Sequence, residues 1–268
     1  MPDPLASFFG HRTALVTGAS SGLGAAMARR LGAAGARVLL VARRADALDA
    51  VAADVRQRGG EAVVLAHDLE PPGASDALAD RLAAAAEAVD VLVNNAGFGV
   101  RGRLIETPPD AIDGMVAVNV AALTTLTRRL LPGMVERGRG GVLQVASIAG
   151  FVPAPHFAVY AATKAYVLSL SEALWAETRG SGVSVTCLCP GPVRTGFGDR
   201  AGVGDTFFEG GLSAEAVAEA GLAGLAAGRR RVVPGWRHKV ETFATRFAPT
   251  PLALRVAGSR MKRAGKGL

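Results

Sequence analysis

The chain has 268 residues, half of them apolar and only 20% charged; this excludes a disordered chain and supplies enough apolar surface for one large core. Two cysteines are too few for a disulfide framework and point to a reducing compartment. The net charge of +7 is unevenly spread: residues 229–268 hold eleven Lys/Arg and one acid, Glu241, a balance of +10, which leaves −3 for the rest.

The N-terminal residues lack a basic segment followed by an apolar run, and no stretch of about 18 uncharged apolar residues occurs. A cytoplasmic protein is therefore expected, without a leader or a spanning helix. The basic tail can attract a membrane surface or an anion, or serve as a solvated or interface-forming face. A nucleic-acid partner is not expected.

Thr13–Thr17 is a short apolar run and reads as a buried strand, followed by a helix over 24–34. Apolar runs predict further strands over 36–42, 61–67, 90–94, 141–146, 183–188 and 231–234. Helical spacing predicts helices over 45–58, 74–88 and 158–179, two stretches within 109–137, and one opened by Ser213. Strands alternating with helices imply βαβ units: a doubly wound, Rossmann-like parallel sheet with helices on both faces. Cys187 and Cys189 fall at i and i+2 of one strand, on one face, with no His or Cys near them in sequence. They are read as buried structural thiols, and no metal site is expected.

The first strand runs into Gly18-Ala19-Ser20-Ser21-Gly22-Leu23-Gly24 and then a helix. Glycines there let the backbone approach a pyrophosphate at a helix N-terminus. The same residues also match the hydrolase elbow G-x-S-x-G, which would make Ser20 a nucleophile, with Asp199 or Asp205 and His238 as partners. Such a fold needs strands before the elbow, and only about a dozen residues precede this one. At the end of the second strand, where an acid would select NAD, stand Arg43 and Arg44, which suit the 2′-phosphate of NADP(H).

With these features placed, the later motifs complete a pattern. Asp68, Asn94-Asn95-Ala96-Gly97, Asn119, Ser147, Tyr160 with Lys164, and Pro190-Gly191-Pro192-Val193-Arg194-Thr195 follow in order. From about Arg12 to Val233 the chain resembles the short-chain dehydrogenase/reductase family. The resemblance implies a catalytic tetrad of Asn119, Ser147, Tyr160 and Lys164. It implies cofactor contacts from Gly18, Ser20, Ser21, Gly22, Leu23, Gly24, Asp68, Leu69, Asn95, Ala96, Gly97, Pro190, Gly191, Val193 and Thr195, with Asn94 stabilising the sheet and lining the groove. It also implies a homodimer or homotetramer.

The chemistry can be argued separately. Carbonyl reduction needs a hydride donor and an acid for the developing alkoxide. Tyr160 and Lys164 are i and i+4, so they share a helix face, and a nearby cation is expected to lower the tyrosine pKa. The reading is an NADPH-dependent ketoreductase or alcohol dehydrogenase with an apolar or acyl-like small-molecule substrate. A non-catalytic NADP(H) sensor on the same fold is the alternative.

Substrate-facing candidates are 98–100, 148–157 and Phe197 with the loop to Phe208; His156, four residues before Tyr160, reads as a rim residue. A catalytic domain over 1–235 and a basic, apolar extension over 236–268 are expected. The extension, with apolar residues at helical spacing, would cover the cleft, pack on a neighbouring subunit or lie on a membrane.

Overall fold

The computed structural model describes residues 3–204, 208–245 and 247–265. A short helix α1 (Ala6–Phe9) buries Phe9 before the first strand. There follow β1 (Thr13–Thr17), α2 (Gly22–Ala33), β2 (Arg37–Ala42), α3 (Ala45–Gln57), β3 (Glu61–Ala66), α4 (Ala74–Ala84) and β4 (Val91–Asn94). Then come α5 (Pro109–Val116), α6 (Leu123–Glu136), β5 (Gly140–Val145), α7 (Ala158–Glu177), β6 (Val183–Leu188), β7 (Val193–Arg194) and α8 (Phe197–Ala201). The chain continues through β8 (Leu212–Ser213), α9 (Ala214–Ala226), β9 (Arg231–Val232), α10 (Trp236–Ala244) and α11 (Thr250–Arg263).

Seven strands form one parallel sheet in the order β3-β2-β1-β4-β5-β6-β9. The winding reverses beside β1, because β2 and β3 build outward on one side and β4 returns to the other. In such sheets the crevice beyond the carboxyl ends of the strands at the reversal receives ligands.

Alternation along each strand divides the core. Ala14, Val16, Val38, Leu40, Val91 and Val93 pack with residues of α2, α3 and α9. Leu15, Leu39, Val41 and Leu92 pack on the other face with Leu78, Leu82 and Leu126. Both faces are dry, which explains why these strands read as unbroken apolar runs.

Several elements differ from the sequence expectation. The predicted helix over 74–88 stops at Ala84, and Ala86 has a positive φ of 51°. The two helical stretches expected within 109–137 are α5 and α6, and a π-helical turn that the sequence did not announce, Ala117–Ala122, joins them. The β7–β8 pair was not predicted. No helix among the described residues is long and apolar enough to cross a membrane.

Candidate active site

The glycine turn between β1 and α2 is shaped by close approach. Gly18 has φ 65°, and a β-carbon on it would lie 2.9 Å from the Ala96 Cα. A β-carbon on Gly24 would lie 2.2 Å from the Gly18 carbonyl oxygen. Asn95 fastens the turn from the next strand: its amide donates to the Thr17 carbonyl at 2.9 Å and the Gly18 carbonyl at 3.3 Å. The Thr17 hydroxyl in turn accepts from the backbone N–H of Asn95 and of Ala96, both at 3.0 Å.

This turn forms one wall of a cleft of about 1480 Å³ at the carboxyl edge of the sheet. The cleft brings together Gly18, Ser20, Ser21, Gly22, Leu23, Gly24, Arg43, Arg44, Asp68, Leu69, Asn95, Ala96, Gly97, Pro190, Gly191, Val193 and Thr195 with Ser147, Tyr160 and Lys164. Thr195 reaches across it, since a β-carbon on Gly22 would meet the Thr195 Cβ at 3.1 Å. The glycine turn can therefore hold a pyrophosphate, and the Pro190–Thr195 segment closes over it.

At the outer end, Arg43 and Arg44 are exposed to the cleft. Glu70, which carries no sequence signal, also lines it, with its carboxylate 4.0 Å from the Arg43 guanidinium. Asp68 accepts the Glu70 backbone N–H at 3.1 Å and so shapes that loop.

At the inner end, Tyr160 and Lys164 stand one turn apart on α7, both buried. The Lys164 ammonium donates to the Val145 carbonyl at 2.8 Å and lies 5.7 Å from the Tyr160 ring centre. Ser147, just beyond β5, lines the cleft beside Tyr160, acts to lower the tyrosine pKa, and accepts the Ala149 N–H at 3.1 Å. Burial pushes the Tyr160 phenol up to about 12, opposed by Ser147. Burial brings Lys164 down to about 8, opposed by the neighbouring Cys187 and Cys189 sulfurs. The expected lowering of the tyrosine pKa is thus not found: desolvation outweighs the opposing effect of Ser147.

Asn119 lies behind this pair and not on the cleft wall. Its oxygen accepts the Phe98 N–H at 3.0 Å, and its amide donates to the Phe98 carbonyl at 2.9 Å and the Thr163 hydroxyl at 3.1 Å. It sits inside the π-turn, a rare form of helix that often occurs at functional sites. Asn94 also differs from expectation: it is fully enclosed and donates to the Leu123 carbonyl, the Thr127 hydroxyl and the Gln144 side chain, so it ties β4 to α6 and β5 without reaching the cleft.

The substrate-side wall is apolar. Phe98, Ala154, Phe157, Tyr160, Val203 and Met261 form one cluster, and the Phe157 and Tyr160 rings stack at 4.3 Å. His156 lies off the cleft with φ 65°, and its carbonyl accepts the Gly102 N–H. Asp205 lies outside the described residues. The tail contributes to the same cavity: Met261 and Ala264 of the α11 end are buried against that cluster, and the His238 ring packs on Gly191. Covering the cleft is one of the three placements expected for this extension, and Met261, Ala264 and His238 occupy it. Cys187 and Cys189 are buried with their sulfurs 3.6 Å apart.

A doubly wound sheet with this crevice and this Ser-Tyr-Lys grouping defines a class of nucleotide-dependent oxidoreductases. The family profile described as short chain dehydrogenase matches residues 12–202. A short chain dehydrogenase of Pseudocercospora fijiensis is 38% identical over 190 residues, 70% of this chain and 61% of the relative. A fatty acyl-CoA reductase of Acinetobacter baylyi is 37% identical over 186 residues, 69% of this chain and 63% of the relative. The chain thus spans a little under two thirds of the length of these two curated relatives. A solved short-chain dehydrogenase from Sphingobium yanoikuyae in complex with NADPH superposes with a TM-score of 0.81 at 33% identity, covering 90% of this chain and 94% of the other. The chain belongs to the short-chain dehydrogenase/reductase family. The hydrolase reading of Ser20 has no support beside this membership.

Proposed function

We propose that this protein is an NADPH-dependent carbonyl reductase with an apolar or acyl-like substrate. The observation that carries the reading is Ser147 beside the buried Tyr160, set against an apolar wall at one end of a cleft rimmed at the other by Arg43 and Arg44. The acyl-CoA reductase relative and the NADPH-bound neighbour support the substrate class and the cofactor.

The bound dinucleotide supplies the hydride that goes to the carbonyl carbon. The turn Gly18–Gly24 and the N-terminus of α2 would hold its pyrophosphate, and Arg43 with Arg44 its 2′-phosphate. Asp68 and Leu69 would flank the adenine. Asn95, Ala96 and Gly97, with Pro190, Gly191, Val193 and Thr195, would border the nicotinamide side. Ser147 holds the carbonyl oxygen of the substrate, and Tyr160, protonated throughout the neutral range, gives it a proton. Lys164 would hold the nicotinamide ribose and supports the loss of that proton by its charge. Asn119 positions the segment around Phe98 against α7. The active form is read as a homodimer or homotetramer in the cytoplasm.

The test is NADPH oxidation at 340 nm against aldehydes, ketones and 3-oxoacyl thioesters, with NADH and Tyr160→Phe as controls. Turnover that prefers NADPH and disappears in the variant is expected. Tight NADPH binding without turnover of any panel member would favour a nucleotide sensor.

A further inference from the structure

Helix α10 has two faces. His238, Glu241 and Thr245 turn toward the cleft, and Thr242 is buried. Trp236, Val240 and Phe243 follow at i, i+4 and i+7 of the helix, with Val240 at the edge of the cleft, and Phe247, beyond the helix end, adds its ring 5.4 Å from that of Phe243. They are 71%, 60%, 62% and 75% exposed. This is inverted for a helix at the surface of a soluble core, where the outward stripe is polar. The inversion belongs to a folded segment, because α11 behind it is anchored: Met261 and Ala264 are buried beside Tyr160, and the Ala264 carbonyl accepts the Gly204 N–H at 2.9 Å.

Cations flank the stripe. Arg237 and Lys239 lie on either side of it and are exposed, as are Arg255, Lys262 and Arg263 on α11. Glu241, the single acid of the tail, is turned inward and paired with Arg260. The outer surface of the tail is thus apolar and aromatic with a cationic border, the composition of a helix that lies in the headgroup region of an anionic bilayer. A site for nucleic acid needs the cations but not four adjacent apolar side chains. The stripe is also continuous with the cavity mouth, where Val240, Leu252 and Val256 are at once exposed and part of the cleft wall.

We propose that α10 and α11 dock this protein on the surface of an anionic lipid bilayer, with the apolar stripe in the headgroup region and the mouth of the cleft facing the membrane. The docking itself is independent of the reductase reading. An acyl substrate would enter from the bilayer side without crossing water.

The experiment is co-sedimentation of the full-length protein with vesicles of phosphatidylcholine alone, or with about one third phosphatidylglycerol. Binding to the anionic vesicles is expected, weakening as salt is raised. The variant Trp236→Ser/Phe243→Ser/Phe247→Ser is expected to lose at least about tenfold in affinity, and Lys239→Glu/Arg255→Glu/Lys262→Glu to lose the anionic preference. None of these six residues lines the cleft, and an unchanged circular-dichroism melt marks each variant as folded. In a Trp175→Phe background, Trp236 emission should shift to the blue on adding anionic vesicles, a readout that needs no variant of the stripe. Equal sedimentation with and without phosphatidylglycerol, full binding by the serine variant, or no emission shift would overturn the proposal. So would ultracentrifugation in which the serine variant is a smaller assembly than the parent, since the stripe would then be covered by a second copy of the chain.

Discussion

Lys164 spends its buried charge on a backbone carbonyl: its ammonium donates to the Val145 oxygen at 2.8 Å, deep under the sheet edge and one helical turn from Tyr160. A single neutral acceptor does not replace the hydration of an ammonium, and burial accordingly brings the group down to about 8. The site is therefore held together against a local cost.

That cost has a measurable sign. Between about pH 8 and the ordinary lysine value of 10.5, the unfolded chain binds this proton and the folded chain does not, so stability from this group rises with pH across that window. Lys164→Met, of similar length and without charge, should be more stable than the parent at pH 7 by about 1–3 kcal/mol. Urea unfolding should show this advantage shrinking by pH 10. An advantage that stays constant with pH would mean that the lysine is not desolvated.

The same group should set the alkaline limit of the proposed reduction. Tyr160, pushed up to about 12, keeps its proton well beyond neutrality, while Lys164 loses its charge above about 8. The rate constant kcat/KM for carbonyl reduction should be level below pH 7 and fall through about pH 8. In Lys164→Arg any residual activity should lack that fall, because a guanidinium stays charged. The pH profiles of the two enzymes, taken side by side, decide this.

Arg43 and Arg44 are exposed at the outer end of the cleft, and Arg43 is only loosely matched by Glu70 at 4.0 Å. Arg43→Ala/Arg44→Ala should weaken NADPH binding by about 10- to 100-fold, the worth of one or two charge-assisted hydrogen bonds, and leave NADH binding nearly unchanged. Fluorescence titration of both cofactors gives the ratio. Equal losses for the two would remove these arginines from 2′-phosphate recognition.

Gly24 pits helix propensity against space. Alanine at this helical position would add up to about 1 kcal/mol of intrinsic preference. Its β-carbon, though, would stand 2.2 Å from the Gly18 carbonyl oxygen and 2.5 Å from the Asn95 amide, both fixed by hydrogen bonds. The clash should win: Gly24→Ala is expected to lower stability by about 1–3 kcal/mol and cofactor affinity by at least about tenfold. A variant as stable as the parent would show that the turn is more yielding than its bonding suggests.

Asn94 separates a structural role from a binding one. Truncation to alanine removes the donor shared by Thr127, Gln144 and the Leu123 carbonyl in a fully dry setting. A loss of about 2–4 kcal/mol in urea unfolding is expected, with cofactor affinity changed by less than about threefold. A large affinity loss at unchanged stability would reverse the assignment.

The strands were legible because both sheet faces are covered. Leu15 and Val16 point to opposite cores, so alternation vanished and an unbroken apolar run remained. The glycine turn was legible because close approach leaves only glycine at Gly18 and Gly24. The pKa of Tyr160 was read in the wrong direction, since burial is a property of the packed cluster around Phe157 and Met261 and not of the i, i+4 spacing. Glu70 was missed because an acid on a loop has no period to betray it. The early end of α4 at Ala84 was hidden in a run of alanines that favour helix on either side of it.

The π-turn at 117–122 makes the phase of a helix part of the site. Each residue advances an α-helix by about 100°, so one residue more or less between α5 and α6 would turn one against the other by that angle. If Asn119 kept its bonds to Phe98, Met115 would swing out of the cluster beneath the cleft; if Met115 kept its place, Asn119 would face elsewhere. Surface loops of this fold can absorb insertions and deletions, but here a shift in the count of a single residue would uncouple the two halves of the pocket. The segment can drift in composition while its length stays locked.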